Sequence, residues 1–378
     1  MTDAAVVGRI LREYHEAGIE PSAIRRLTGS VRGARVTYQL DSPPGSGMVV
    51  RALRTDVPVA GQAGGGEIVT VTDWLSGRAS TLLWLEDRGY PAPRVIRTHS
   101  GDLVGLAGVW ATLATTYVAG TPLRPDTGQL RLLGEALGRL HALDASTFPE
   151  STGAGGTGAG GSDAGDLGAG VAGTGSAGVV TAAERALWHP ETAIPAALGR
   201  LEAVESVTPA DQRSLLEQLR AILLEVQQRA PMLPVAVVHG DPWPGNAVST
   251  ARDEVTLVDW ENAGLGMPVL DLGYCLLECH LDVGLPGDQP AAWHIQPNED
   301  RIAAVLAGYS RWRRLQPAER DLLVGGMRFA AAFVGAMHLE QALMVGVRSV
   351  PTDVRLERLR NRLAVSDAVA ELARRHLD

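Results

Sequence analysis

Residues 235–261 place His239, Asp241, Asn246 and Asp259 within one short stretch. Asp241 and Asp259 offer carboxylates, and Asn246, five positions after Asp241, offers an amide. The loop between them holds Pro242, Pro244 and Gly245, which exclude a helix there. Val235–Val238 reads as a short buried strand entering that loop, and Val255–Val258 as a second strand ending at Asp259. A turn joining the two strands as a hairpin would gather Asp241, Asn246 and Asp259 at one end. Such an oxygen-rich cluster suits a hard divalent cation, and through it a polyphosphate.

Phosphoryl transfer asks a protein mainly for positioning and charge neutralisation. Asp241 would accept or orient the proton of an attacking hydroxyl. Asn246 would offer its side-chain carbonyl to Mg²⁺, and Asp259 the stronger anionic ligand. The Asp-x-x-x-x-Asn spacing and the later Asp259-Trp260-Glu261 match the order of such parts in kinase loops. Asp271, in GMPVLDLG, is expected to brace the loop by accepting backbone N–H groups. His239 is expected to pack and hydrogen-bond within it.

HGDPWPGN followed by VDWENAGLGMPVLDLGY resembles the aminoglycoside phosphotransferase and choline kinase family. LLWLEDRGYPAPRV (82–95), ATTYVAGTPL (114–123) and LRLLGEALGRLHAL (130–143) extend the resemblance upstream. It implies an α+β, bilobal, protein-kinase-like fold, with a small antiparallel-sheet lobe at 1–118 and a larger helical lobe at 119–378. It also implies ATP or GTP with Mg²⁺, and a small-molecule hydroxyl as acceptor. In that picture the adenine lies near Thr116 and Val118, and GSVRG (29–33) covers the phosphates. Two readings stand beside it: phosphorylation of Ser or Thr in a precursor peptide, and a kinase-like binding protein without catalysis.

The chain contains no lysine; all 34 of its basic side chains besides histidine are arginine. Kinase-like folds use a strand Lys, paired with a helix Glu, to hold the α- and β-phosphates. Here GMVVRALR puts Arg51 at the Lys position. LLWLE aligns Arg78 with the Glu, leaving Glu67 and Glu86 as substitutes. An arginine fork does not replace an ammonium neutrally at a tight site. The lack of lysine also excludes a Walker A loop at GQAGGG (61–66) and any lysine Schiff base.

A net charge of −9 over 378 residues argues against nucleic-acid binding. Cys275 and Cys279, four apart in an expected helix, read as buried thiols without further metal ligands. Asp3, Arg9, Arg12 and Glu13 interrupt any leader pattern, and no apolar run reaches membrane-spanning length, so the cytoplasm is the expected compartment and no membrane partner is expected.

The apolar spacing predicts helices over 5–18, 72–88, 299–313, 317–347 and 352–376, and strands at 23–28, 34–41, 48–53 and 111–118. Leu130, Leu133, Leu137 and Leu140 form a helical stripe capped by Asp126 or Thr127, and Thr208-Pro209 reads as the start of another helix. His141 reads as a packed helix histidine. Residues 151–178, nearly all small, read as a mobile Gly-rich insertion. For the acceptor, Trp243, Glu261 and Glu278 are candidate contacts, with Asp282, Asp300 and Glu340 as further acids for an amine.

Overall fold

The computed structural model describes residues 3–14, 24–29, 35–40, 47–56, 70–149, 189–206, 208, 210, 213–250, 254–280, 296–343 and 352–377. The insertion at 151–178, residues 30–33 of the glycine loop, GQAGGG, Glu67 and Asp282 lie outside these residues.

The amino-terminal lobe is one antiparallel sheet with a helix on each face. Helix α1 (Asp3–Glu13) precedes β1 (Ile24–Gly29), β2 (Arg35–Leu40) and β3 (Met48–Arg54). Helix α2 (Val71–Asp87) then leads to β4 (Val95–Ile96), β5 (Gly105–Ala107) and β6 (Trp110–Thr116). The strand order is β1-β2-β3-β6-β4, with β5 also on β6. Alternation along each strand sorts the side chains. Val36, Tyr38 and Leu40 of β2 and Met48, Val50 and Ala52 of β3 pack with Val7, Ile10 and Tyr14 of α1. The opposite face holds Leu53, Ala111 and Leu113 against Leu75 and Ala79 of α2. Arg35, Thr37 and Arg51 belong to this second face by the same alternation, and Thr37 stands directly across from Arg51. The sequence therefore aims two arginines toward the cleft between the lobes. Helix α2 starts at Thr70, whose hydroxyl accepts the Asp73 N–H at 3.1 Å.

The carboxy-terminal lobe is mostly helical around one large core. It comprises β7 (Thr121–Pro122), α3 (Thr127–His141), α4 (Pro190–Glu205), α5 (Arg213–Arg229), β8 (Ala236–Val238), β9 (Ala247–Ser249), β10 (Val255–Leu257) and β11 (Gly264–Gly266). Helices α6 (Pro268–Glu278), α7 (Glu299–Ser310), α8 (Pro317–Leu343) and α9 (Thr352–Arg374) complete it. The leucine stripe of α3 is wholly buried, and Asp126 caps the helix by accepting the Gln129 N–H. Gly134 and Gly138 of α3 and Gly308 of α7 let these two backbones meet; a Cβ on any of them would collide with the facing helix backbone. That close approach sets Tyr309 beside His141.

Two expectations change. The two strands flanking the catalytic loop do not pair with each other: β8 pairs with β11, and β10 with β9. Helix α4 was not expected; its internal Pro195 breaks the usual pattern. Beyond α4 the Thr208 hydroxyl donates back to the Val204 carbonyl at 2.7 Å, and α5 is described from Arg213; the residues between that would show whether Thr208-Pro209 starts it lie outside the described residues.

Candidate active site

The loop that carries Asp241 runs from β8 into a short 3₁₀ turn at Pro244–Asn246. Gly240 adopts a positive φ of 83° beside the Asn262 backbone, a conformation and a close approach that only glycine accepts. Asp241 leaves the turn facing Asn246, whose Nδ2 donates to the Asp241 side chain at 2.7 Å and to its carbonyl at 3.1 Å. Two acceptors on the nitrogen fix the amide orientation, so its Oδ1 is the atom left for a cation. The indole of Trp243 lies over Gly245, filling the space a Cβ would need. Trp243 thus wedges the loop and is half-buried.

Asp271 holds the loop from below. Its carboxylate is fully buried and accepts the backbone N–H groups of His239 at 2.8 Å and Gly240 at 2.9 Å. Burial lowers the pKa of His141, keeping the ring neutral. Its Nε2–H donates to Asp271 at 3.1 Å, and its Nδ1 accepts the Tyr309 hydroxyl at 3.0 Å. Arg313 in turn donates to Tyr309. His239, also held neutral by burial, donates through Nε2 to the Val258 carbonyl at 3.0 Å, tying the loop to the segment before Asp259. Its ring packs edge-on against Trp260, centroids 4.6 Å apart.

Asp259 has φ 65°, the one positive value at a non-glycine position among the described residues. Aspartate tolerates this conformation better than most side chains, at some cost, and such residues gather at functional sites. Burial alone would raise its carboxyl. The Arg51 charge and hydrogen bond outweigh that and bring it below its usual value. Arg51 reaches it at 2.6 Å and also reaches Glu261 at 2.6 Å. Arg35 joins Glu261 from β2, and Arg78 adds a third positive charge from α2 while donating to the Ala263 carbonyl. Burial lowers the Arg78 pKa to about 10, partly offset by Glu261. Burial also raises the Glu261 carboxyl, against the pull of Arg51.

The acidic partner of Arg51 therefore comes from the opposite lobe. Arg78, at the helix position where an acid was sought, reverses its charge, and Glu261 supplies the anion instead. Glu86 lies elsewhere, paired with Arg94 at 3.4 Å. Glu261, considered for the acceptor, lines the cleft between the lobes together with Arg51 and Asp259. Glu278 is buried and ion-paired with Arg362 of α9, and Glu340 is paired with Arg200 at 3.0 Å. Those two acids are neutralised rather than open to an amine.

A cavity of about 370 Å³ lies between the lobes, lined by Thr37, Arg51, Arg78, Asn246, Asp259 and Glu261 among others. Thr116 and Val118 also line it. The Thr116 N–H already donates to the Arg94 carbonyl at 2.8 Å, so it is not available to a base. The volume falls in the range of small-ligand sites. Its floor offers a carboxylate and an amide oxygen, its roof guanidinium groups: a donor set that fits a hard cation below and phosphates above. Among the described residues no group of three His, Cys, Asp or Glu side chains could hold a metal ion by itself.

Asp241 sits beside this floor. Burial pushes its carboxyl up to about 6; the Tyr274 and Asn246 hydrogen bonds lower it, and Asp259 raises it. Arg35, Tyr274, Arg362 and the bracing role of His141 were not singled out from sequence. Tyr274 closes the DLGY motif, and Arg35 follows the polar-apolar alternation of β2, so both carried a local signal. Arg362 carried none.

Residues 78–318 match the sequence profile of the phosphotransferase enzyme family (APH). Among curated proteins, a homoserine kinase of Hyphomonas neptunium is 24% identical over 240 residues, covering 63% of this chain and 62% of that protein. The chain thus spans about three fifths of the length of this relative. Among solved structures, the amicoumacin kinase hAmiN, in complex with AMP-PNP, Ca²⁺ and Ami, superposes with a TM-score of 0.64 at 15% identity, over 97% of this chain and 94% of that one. A choline/ethanolamine kinase family protein from Mesorhizobium loti superposes with a TM-score of 0.57 at 17% identity, over 96% and 98%. With the profile spanning most of the chain and the kinase-like fold matched along nearly its whole length, the chain belongs to the phosphotransferase enzyme family.

Proposed function

We propose that this protein transfers the γ-phosphoryl group of ATP to the hydroxyl of a small molecule, with Mg²⁺ and with Asp241 as the catalytic base. The observation that carries this reading is the meeting of Asp241 and Asn246 at 2.7 Å beside a cleft walled by Asp259 and Arg51. Asn246 Oδ1 and the Asp259 carboxylate would hold the metal. When bound there, Mg²⁺ would supply positive charge against the charge that develops on transfer. Arg51 and Arg78 contact the phosphates. Residues 1–118 form the nucleotide lobe, with the base against Val118 and the Thr116 strand, and residues 119–378 carry the catalytic loop.

Asp241 is ionised at neutral pH yet basic enough, at about 6, to take the acceptor proton. Asp271 and His141 hold the loop backbone so that this carboxylate stays in register with Asn246. The Arg51–Asp259 pair must exchange partners when nucleotide enters: Arg51 turns to phosphate, and Asp259 to the cation. A kinase-like binder that keeps this pair closed is the competing reading, and the same pair is the observation that favours it.

Calorimetry with ATP, with and without Mg²⁺, and ADP release with a panel of hydroxylated acceptors decide between them. Metal-dependent ATP binding with acceptor-dependent ADP release is the expected result. Asp241→Ala should keep nucleotide affinity within about threefold and lower turnover by about 10²–10⁴-fold. Turnover that survives this substitution removes Asp241 from the mechanism.

A further inference from the structure

The hydrogen-bonded chain behind Asp271 has a direction. Glu319, in the first turn of α8, is fully buried; it accepts the Arg313 guanidinium at 2.8 Å and the Gln316 N–H at 3.0 Å. Arg313, so anchored, donates through Nη1 to the Tyr309 hydroxyl at 3.0 Å. A guanidinium has donors only, so Tyr309 must turn a lone pair toward it. Its one proton then goes to its other partner among the described residues, His141 Nδ1 at 3.0 Å. A ring nitrogen that accepts carries no proton, so the neutral ring holds its proton on Nε2, 3.1 Å from Asp271. Each link fixes the next, from a permanent charge at the α7–α8 corner to the carboxylate that accepts the His239 and Gly240 N–H groups. Arg313, Tyr309 and Glu319 do not line the cavity between the lobes.

We infer that Arg313 is a positioning residue for the transfer: acting through Tyr309, it holds His141 as the neutral ring protonated on Nε2, and so keeps Asp271 bound to the loop that carries Asp241. The inference rests on the phosphotransferase reading above and adds to it a residue that touches no reactant. Without its donor, Nδ1 is open to a second proton. His141 would then be an imidazolium against Asp271, and the carboxylate would turn to that charge at the expense of two neutral backbone N–H groups. The groups that face the ring are Asp271 from α6, Tyr309 from α7, Arg313 from the segment after α7 and Glu319 from α8. Burial opposes the second proton most; Asp271 and Glu319 favour it, and Arg313 opposes it. The Tyr309 hydroxyl decides the balance locally, because it occupies the nitrogen that would receive the proton. A pair that only stapled α7 to α8 would need the Arg313–Glu319 contact and nothing beyond it; the second donor, spent on Tyr309, is what ties the corner to the loop.

The test pairs kinetics with nitrogen NMR of histidine-labelled protein, the His141 signals being identified by their loss in His141→Gln. The unaltered protein should show Nε2 protonated and Nδ1 bare at neutral pH. Tyr309→Phe removes the hydroxyl and keeps the ring. It should lower kcat by about tenfold, with the acceptor KM and the nucleotide Kd held within about threefold. His141 should take its second proton at higher pH than in the unaltered protein, and the acid limb of kcat should move up with it. Arg313→Lys keeps a cation that only donates, and should retain kcat within about threefold with the His141 signals unmoved. Because Arg313→Met alone would leave Glu319 buried without a counter-charge, the further variant is Arg313→Met with Glu319→Gln, which should reproduce Tyr309→Phe. If that pair fails to fold, Tyr309→Phe and Arg313→Lys decide between them. A proton on Nδ1 in the unaltered protein, an undiminished kcat in Tyr309→Phe, or variants that lose stability in urea while the His141 signals and kcat stay put each overturn the inference alone. Failure of the unaltered protein to bind ATP or to transfer phosphoryl defeats the phosphotransferase reading, and the positioning role with it.

Discussion

Asp271 and Glu261 are both buried carboxylates at the base of the site, and they are held by opposite means. Asp271 accepts two backbone N–H groups and a neutral imidazole, all from its own lobe. Glu261 is surrounded by arginines from β2, β3 and α2 of the other lobe. Neutral, short-range donors fix geometry and have no ligand to exchange with. Guanidinium groups can turn from a carboxylate to a phosphate at modest cost, because both present the same oxygen geometry. The first arrangement makes a rigid loop around Asp241; the second makes a joint between the lobes that, under the proposed function, nucleotide remakes. The comparison teaches that buried charge here serves two ends, and that the type of donor decides which.

Breaking the rigid half should have the largest effect. Asp271→Ala leaves two backbone N–H groups and the His141 ring without their acceptor, at an expected cost of about 3–5 kcal/mol in urea unfolding. ATP should not restore it. A deficit below 1 kcal/mol would mean that the brace is dispensable. Glu261→Gln tests the exchangeable half: we expect a loss of about 2 kcal/mol in the free protein. Here the thermal stabilisation by ATP and Mg²⁺ should exceed that of the unaltered chain, because phosphate oxygens replace the missing anion. An equal or smaller ATP response would refute the exchange.

The pH dependence is a gentler probe. With Asp241 at about 6, kcat/KM should fall about tenfold per unit below that pH, since the base works ionised. Stability should respond with the opposite sign. A carboxyl raised in the folded state binds its proton more tightly than in the unfolded chain. Its contribution is therefore full below the unfolded pKa of about 4 and is lost as pH rises through about 6. A flat rate profile between pH 5 and 7, about a unit either side of that value, would separate Asp241 from the rate-limiting proton transfer. Glu86→Ala should do least: its pair with Arg94 is solvent-exposed, and about 0.5 kcal/mol or less is expected, with no change in ATP affinity. A fall in ATP affinity would return the Arg51 partner role to α2 and undo the contrast.

The elements were largely legible from periodicity, because a half-buried strand or helix must repeat its apolar residues at its own pitch. The antiparallel lobe, α2, α3 and the long carboxy-terminal helices follow within a few residues of the expected bounds. Strand pairing was not legible. β8 and β10 are three residues each, too short to carry a register in sequence, and they pair with β11 and β9.

Sequence alone brought Asp241 and Asn246 together, since they lie in one turn whose prolines and glycines allow few conformations. Tertiary structure decided the charge partners. Arg35 and Glu261 are 226 positions apart, and His141 and Asp271 are 130 apart. An ion pair needs only that two surfaces be brought together, so its identity is written in the packing of lobes and helices and leaves no spacing along the chain. That is why an arginine on α2 could be read in sequence as a lost acid, while the fold supplies the acid from across the cleft.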